Sequence, residues 1–142
     1  MQTFLPYADF NKSAQSLDYR RLGKQRVECL QLLNSLLGIT NGKGWSNHPA
    51  RNMWRGYERS LVKYTLTVCD VWKAKGYKDT VAEKVRNLET VYLTEQSDEA
   101  PPWLGDETFH RSHRSNLIRK LPEHYQPQWP EEPADLPYVW PV

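Results

Sequence analysis

Residues 17–38, LDYRRLGKQRVECLQLLNSLLG, decide the fold of this chain. Apolar side chains recur through this stretch at helical spacing, at Leu22, Cys29, Leu30, Leu33, Leu36 and Leu37. The spacing predicts a first helix from about Ser13 to Leu37, with Ser13 or Ser16 as its cap and Gly38 as its stop. Arg26 falls within the apolar face, and a buried arginine needs a partner or a wet pocket. We therefore expect this helix to border a cavity.

The second helix is predicted to begin at Asn47-His48-Pro49, because proline suits the first turn of a helix. We expect it to run to about Lys75, with Gly76 as its stop. Gly56 is a position at which it could be interrupted. The predicted core face follows the helical period of about 3.6 residues and consists of Trp54, Tyr57, Leu61, Tyr64, Val68, Val71 and Trp72.

Two shorter helices and a tail are predicted to follow. Thr80-Val81-Ala82-Glu83 has the pattern of a capping box. The helix after it would bury Val81, Val85, Leu88, Val91 and Tyr92. Asp106 can cap a fourth helix over about 107–121. Residues 122–142 contain six prolines and four aromatic side chains, which predicts an extended tail that packs along the surface. With no convincing strand pattern, the sequence predicts an all-α, compact single-domain helical bundle over residues 1–142.

Composition narrows the class of protein. A chain of 142 residues can bury a core without disulfides, and its two cysteines lack the spacing of a metal or redox motif. No window has the length and hydropathy of a membrane span, and we expect a cytoplasmic protein. We also expect it to be a monomer and to need no metal or other cofactor. Six Trp and eight Tyr are many for this length, and such rings form cores or stack on displaced bases. Trp45, Trp54 and Trp140 are the candidate stacking side chains.

Charged side chains share one face near the start of the first helix. Arg21, Lys24, Gln25 and Glu28 stand at helical separations, so their side chains project from the same side. The simplest interpretation is a solvated face with a Lys24–Glu28 ion pair. The alternative is that this face, with the neighbouring Arg20 and Arg26, contacts nucleic acid.

A second set of cations lies on the next predicted helix. It consists of Arg51, Arg55, Arg59 and Lys63, at steps of four residues with Glu58 as the nearby acid. Such a stripe could form a track for DNA phosphates, and we include His48 at the start of the helix as a DNA contact. A solvated face is the alternative here too.

The fourth helix begins close to a cluster of basic side chains. Arg111, His113 and Arg114 could contact a phosphate, since the N-terminus of a helix also favours anions. His113 shares a face with apolar side chains, so a partly buried, hydrogen-bonded histidine is the alternative. The spacing of His110 and His113 could suit a metal ion, which would imply a metal-dependent nuclease, but no third ligand is near.

The pattern Leu17-x4-Leu22-x5-Glu28 resembles the first long helix of the pyrimidine-dimer DNA glycosylases of the endonuclease V type. His113-x11-Tyr125, with Pro122 between, is similar to the histidine-containing helix and Pro-aromatic tail of that family. The chain length also matches.

The resemblance implies a mechanism and a partner, duplex DNA with a damaged or modified base. In that family the free N-terminal amine attacks the deoxyribose C1′ and forms an imine with the opened sugar. A helix glutamate, matched here by Glu28, assists glycosidic cleavage and later strand elimination. Gln2 is too large for normal methionine removal, so the implied nucleophile is the amine of Met1. Arg21 stands where well-studied members have histidine.

The chemistry of amines agrees with this role. An α-amine has a pKa near ~8, so about a tenth of it is neutral at neutral pH, whereas a lysine amine near ~10.4 is neutral at well under ~0.1%. Its proton needs a nearby carboxylate, and Glu28 is a candidate. The leading hypothesis is therefore a DNA glycosylase with abasic-site lyase activity. A non-catalytic nucleic-acid-binding protein on the same scaffold is the alternative.

Overall fold

The computed structural model describes residues 2–39 and 48–141, and within these ranges it contains seven α-helices and no strands. The helices are α1 (Phe10–Ser16), α2 (Tyr19–Leu36), α3 (Pro49–Asn52), α4 (Glu58–Ala74), α5 (Val81–Tyr92), α6 (Glu107–Lys120) and α7 (Pro122–Tyr125). Helices α2 and α4 pack against each other, α1 and α5 both pack on α4, and α7 packs on α6. The predicted all-α fold is confirmed.

The first long helix begins later than predicted. Leu17 is extended, with φ −75° and ψ 140°, and it separates α1 from α2. Asp18 then caps α2, because its carboxylate accepts the backbone N–H of Arg21. The prediction of one continuous helix from Ser13 was therefore wrong. The Asp18 carboxylate satisfies a backbone N–H in the first turn of α2, which favours the start of a new helix at this point over continuation of α1.

The second predicted helix is broken into α3 and α4. Gly56 has φ +87°, in the left-handed region that favours glycine, and its backbone N–H is accepted by the Glu58 carboxylate at 3.2 Å. His48 caps α3 by accepting the Ala50 N–H, and Asn47 lies outside the described residues. The interruption that the sequence allowed at Gly56 is confirmed. Arg51 therefore lies on α3, Arg55 in the turn and Arg59 on α4.

Helix α5 starts as expected but is capped by a different residue. Thr80 makes no capping hydrogen bond, so the predicted capping box with Glu83 is wrong. Asp79 instead accepts the first two backbone N–H groups of the helix, at 3.2 and 2.9 Å. The far end of the predicted core face is also wrong, since Val91 and Tyr92 are 68% and 53% exposed.

The contact between α2 and α4 explains Arg26. A Cβ atom at Gly23 would lie 2.8 Å from the Trp72 ring, so only glycine lets the two helices approach this closely. The Arg26 guanidinium packs over the same ring, 4.6 Å from its centroid, and forms an ion pair with Asp79. The partner that a buried arginine requires is therefore an aspartate and an indole at the helix interface.

The C-terminal tail packs along α6, as predicted, but it is not extended throughout: Pro122–Tyr125 form α7, so that part of the prediction was wrong. Pro122 occupies the first turn of α7, where its missing N–H costs nothing. Beyond α7, Ser115 and Asn116 bind the backbone of Leu136, at 2.9 and 3.0 Å. Across the described ranges, none of the helices has both the length and the hydropathy to cross a bilayer.

Candidate active site

Side chains from the helices hold the backbone of the N-terminal segment, residues 2–7, which has no regular secondary structure. Gln25 of α2 accepts the Phe4 N–H at 2.7 Å and donates to the Gln2 carbonyl at 2.8 Å. The Tyr64 hydroxyl of α4 donates to the Phe4 carbonyl at 2.5 Å. The segment is thus tied to the two central helices.

Helix α6 holds the next residues of the same segment. His113 Nδ1 accepts the Leu5 N–H at 3.0 Å, and His110 Nδ1 donates to the Leu5 carbonyl at 2.7 Å, since its Nε2 already accepts a backbone N–H. Arg114 donates to the Pro6 carbonyl at 2.7 Å. His113 is fully buried, in agreement with its alternative interpretation as a hydrogen-bonded core histidine. Neither histidine has companions in a metal-binding group of three within the described ranges.

The backbone at Gln2 meets the carboxylate of Glu28. The Gln2 N–H donates to Glu28 Oε2 at 3.4 Å, and Lys24 Nζ lies 3.5 Å from Glu28 Oε1. The Glu28 side chain is 13% exposed, whereas that of Lys24 is 77% exposed. Burial lowers the pKa of His48, and the charge of Glu28 opposes this shift, so His48 lies within electrostatic range of the carboxylate.

A cleft of about 940 Å³ opens along the first half of α2, and we call it the α2 cleft. The face that the sequence predicts from helical separations forms one wall, and it consists of Arg21, Lys24, Gln25 and Glu28. Arg20 extends this wall. Lys120, His124 and Tyr138 line the cleft from the end of α6, from α7 and from the tail. The structure thus brings three carboxylates, those of Asp18, Glu28 and Glu123, and several cations around one opening.

Arg21 is held in the wall of the α2 cleft by a buried acid. Asp18 lies 3.1 Å from the Arg21 guanidinium and accepts a hydrogen bond from the Tyr125 hydroxyl at 2.6 Å. Burial raises the pKa of Asp18, but the hydrogen bonds from Tyr125 and Arg21 outweigh it, so the net shift is downward and Asp18 is ionised. A cation fixed in this way is pre-oriented for an anionic ligand.

Sequence reasoning missed the far wall of the α2 cleft. Lys120, His124 and Tyr138 lie about a hundred residues from α2 along the chain, and no local spacing connects them to it. Tyr19, which is 55% exposed and also lines the cleft, carries a signal that could have been used: it directly precedes two arginines.

Neither Trp54 nor Trp140, two of the predicted stacking tryptophans, lines the α2 cleft. Trp54 is fully buried, its Nε1 donates to Thr3 Oγ1 at 3.0 Å, and it therefore cannot stack on a base in this structure. Trp140 is half-buried and packs near His48 and Tyr138. Trp45 and Met1 lie outside the described residues.

The second cationic stripe is not a row of free cations. Arg59 lies 3.7 Å from Glu89, and Lys63 lies 2.6 Å from Asp98. Arg51, on α3, donates to Ser35 Oγ at 2.8 Å, whereas Arg55 is exposed. Partners from another helix and a loop pair with half of the stripe, so Glu58 is not its only nearby acid, contrary to the expectation. The DNA contacts of the stripe stay a prediction.

The arginines of α6 are also paired with acids. Glu132 lies 2.8 Å from both Arg111 and Arg114, and Glu107 makes a further ion pair with Arg114. Neither arginine lines the α2 cleft, and neither does Arg26. Their DNA contacts stay a prediction. In the structure Arg111 and Arg114 bind Glu132 of the tail, and Arg114 also binds the Pro6 carbonyl of the N-terminal segment.

Replacing His113 with asparagine should remove part of the acid sensitivity of folding. Burial, reinforced by His110, lowers the pKa of His113 to about 3. In the unfolded chain this histidine takes up a proton below about pH 6.5, whereas folded His113 does not. The free energy of unfolding is therefore unaffected by protonation of His113 above that pH. It falls as the pH drops from about 6.5 toward 3, by up to about 1.4 kcal/mol per pH unit. An asparagine side chain at this position keeps an acceptor for the Leu5 N–H and cannot be protonated.

Urea unfolding of the wild type and H113N from about pH 7 to 4.5 measures this effect. The free energy of unfolding of H113N should fall less steeply with pH. H124N, which changes a histidine of α7, is the matched control and should keep the wild-type slope. Equal slopes for H113N and the wild type would contradict the assignment.

Comparison with known proteins connects this geometry to a family. The family model described as pyrimidine dimer DNA glycosylase matches residues 1–84, which is more than half of the 142-residue chain. The match includes the N-terminal segment and the α2 wall of the cleft with Glu28. No curated protein and no solved structure matches the chain.

Proposed function

Because the chain belongs to the pyrimidine dimer DNA glycosylase family, we propose that it is a DNA glycosylase with abasic-site lyase activity. Its substrate is duplex DNA with a damaged or modified base, such as a pyrimidine dimer. The observation that carries the proposal is the 3.4 Å contact between the Gln2 nitrogen and Glu28 Oε2, beside the cationic α2 cleft. It supports a chain start that lies next to a carboxylate in a site able to hold DNA.

The proposed nucleophile is the α-amine of Met1. Covalent geometry limits the nitrogen that precedes Gln2 to about 4 Å from the Gln2 nitrogen. The proposal requires that amine to exchange a proton with Glu28, directly or through one water. Its low pKa relative to lysine makes it the most nucleophilic amine of an ordinary chain at neutral pH.

The proposed reaction begins with attack of the neutral amine on the deoxyribose C1′. The C1′–N bond to the base breaks, the base leaves with the electron pair and takes a proton from water, and the amine gives up a proton to Glu28. The C1′–O4′ bond then opens to an iminium ion, and protonated Glu28 gives its proton to O4′, which restores the carboxylate. Loss of a C2′ proton to the carboxylate breaks the C3′–O bond, and the 3′ phosphate leaves. Water hydrolyses the imine and restores the amine.

The walls of the α2 cleft supply the contacts that this substrate needs. Arg20, Arg21 and Lys24 carry positive charge to one side and can hold phosphates on either side of the lesion. A volume of about 940 Å³ is large enough for an extrahelical nucleotide. Tyr19 and Tyr138 offer rings on which bases can stack.

Borohydride trapping tests the proposal. The protein is mixed with oligonucleotide duplexes that carry an abasic site or a cyclobutane pyrimidine dimer, reduced, digested and mapped. We expect a covalent adduct on the first peptide of the chain, since borohydride reduces the imine to a stable amine. An adduct on a lysine would reject the proposed nucleophile. Binding with no adduct on either lesion would favour the non-catalytic binding protein.

A further inference from the structure

Gln25 is a buried side chain whose amide pairs with backbone instead of facing the ligand. It is 1% exposed although its helix face borders the α2 cleft. Its Oε1 accepts the Phe4 N–H at 2.7 Å and lies 3.0 Å from the Tyr64 hydroxyl, and its Nε2 donates to the Gln2 carbonyl at 2.8 Å. One side chain therefore binds the backbone on both sides of Thr3, as a neighbouring strand would.

The orientation of this amide is fixed by its partners. The Phe4 N–H needs an acceptor and the Gln2 carbonyl needs a donor, so a flipped amide would leave both unsatisfied in a buried site. The amide has no exposed group left for a DNA phosphate. Its spacing with Glu28, three residues along a rigid helix, fixes how the backbone at Gln2 sits relative to the carboxylate.

We propose that Gln25 is a positioning residue, which holds the N-terminal segment so that the backbone at Gln2 stays next to the Glu28 carboxylate, where the proposed function needs its amine. This inference rests on the proposed function and replaces the sequence-based prediction that Gln25 contacts DNA. The physical reason is that a displacement of about 1 Å between reacting groups can cost about 100-fold in rate, while the charges of Arg20, Arg21 and Lys24 in the cleft wall are unchanged.

Gln25→Met is the main test, because methionine fills the space but neither donates nor accepts as an amide does. We expect the single-turnover rate of adduct formation to fall by about 100-fold, with the affinity for abasic duplex DNA changed by less than about threefold. Gln96→Met is the matched control. Gln96 also binds two groups, the Glu58 carboxylate and the Arg59 N–H, but it does not line the α2 cleft. It should destabilise the fold without changing the rate by more than about twofold.

Gln25→Glu keeps the test decisive if the methionine variant does not fold. Glutamate retains the acceptor for the Phe4 N–H and loses the donor to the Gln2 carbonyl, so an intermediate loss of rate is expected. A normal rate in both variants, or a loss of DNA affinity equal to the loss of rate, would overturn the proposal.

Amide hydrogen exchange separates failure of this inference from failure of the proposed function. Exchange at Phe4 should accelerate in the Gln25 variants and stay slow in Gln96→Met, whether or not the wild type forms an adduct. Unchanged exchange at Phe4 would reject the role of Gln25 in holding the N-terminal segment. If the wild type forms no adduct but exchange is faster in the variants, Gln25 holds the segment, and the glycosylase function with its catalytic consequence is rejected.

Discussion

Glu28→Gln should reduce strand cleavage by about 10²–10⁴-fold while duplex binding is kept, because a glutamine amide cannot take a proton from an amine or from C2′. The side chain keeps its size, and its oxygen can still accept the Gln2 N–H that now lies 3.4 Å from Glu28 Oε2. The lost ion pair with the highly exposed Lys24 contributes little to stability. Removing a negative charge beside a cationic cleft should leave DNA affinity equal or slightly higher.

Glu123→Gln is the matched control for this prediction. Glu123 also lines the α2 cleft, on the opposite wall, so its replacement removes the same charge from the same opening. Cleavage by E123Q should stay within about twofold of the wild type. Single-turnover cleavage and fluorescence anisotropy binding give the two readouts. Cleavage by E28Q at the wild-type rate, or equal losses in E28Q and E123Q, would show that Glu28 is not the proton acceptor.

The α2 wall of this site could be predicted from the sequence because helical separations are a local property. Arg21, Lys24, Gln25 and Glu28 follow one another at steps that fix their common direction wherever the helix packs. Periodicity does not say which of them the rest of the chain will use. Gln25 turned out to be buried in a network with the N-terminal segment, whereas Lys24 stayed exposed.

The contacts that hold the N-terminal segment could not be predicted from local pattern. Leu5 and His113 are 108 residues apart. Every residue except proline has the same backbone N–H, so the sequence does not show which one a histidine will bind. The spacing of His110 and His113 therefore suggested a metal site or a phosphate contact, whereas both rings bind the same backbone unit. Only the tertiary arrangement distinguishes these uses.

Ion pairs between elements explain why the second cationic stripe carries less unpaired charge than its sequence indicates. The sequence pattern of one helix shows only the acids of that helix. Glu89 and Asp98 come from α5 and the segment after it, and they reach Arg59 and Lys63 once α5 packs on α4. Around the α2 cleft, Arg20 and Lys24 are exposed, and the acid that Lys24 contacts is Glu28 of the same helix.

Extending the chain ahead of Met1 should abolish the trapped adduct. A peptide nitrogen has its lone pair delocalised into the carbonyl, so an extended Met1 has no nucleophilic amine at the position next to Glu28. The fold should persist, because Gln25, Tyr64 and the α6 side chains already hold the backbone of residues 2–7. A short extension with a protease site that leaves Met1 as the first residue provides the control: cleavage should restore the adduct.

Lys24 is the alternative nucleophile that this experiment must exclude. Its Nζ lies 3.5 Å from Glu28 Oε1 and lines the same cleft, so geometry alone does not separate it from the α-amine. As a class, α-amines are less protonated than lysine amines at neutral pH, which favours the α-amine as the nucleophile. Lys24→Arg keeps the charge for DNA and removes the primary amine, so it should keep most of the adduct that the extension abolishes. The opposite result, an adduct that survives the extension and disappears in K24R, would assign the imine to Lys24.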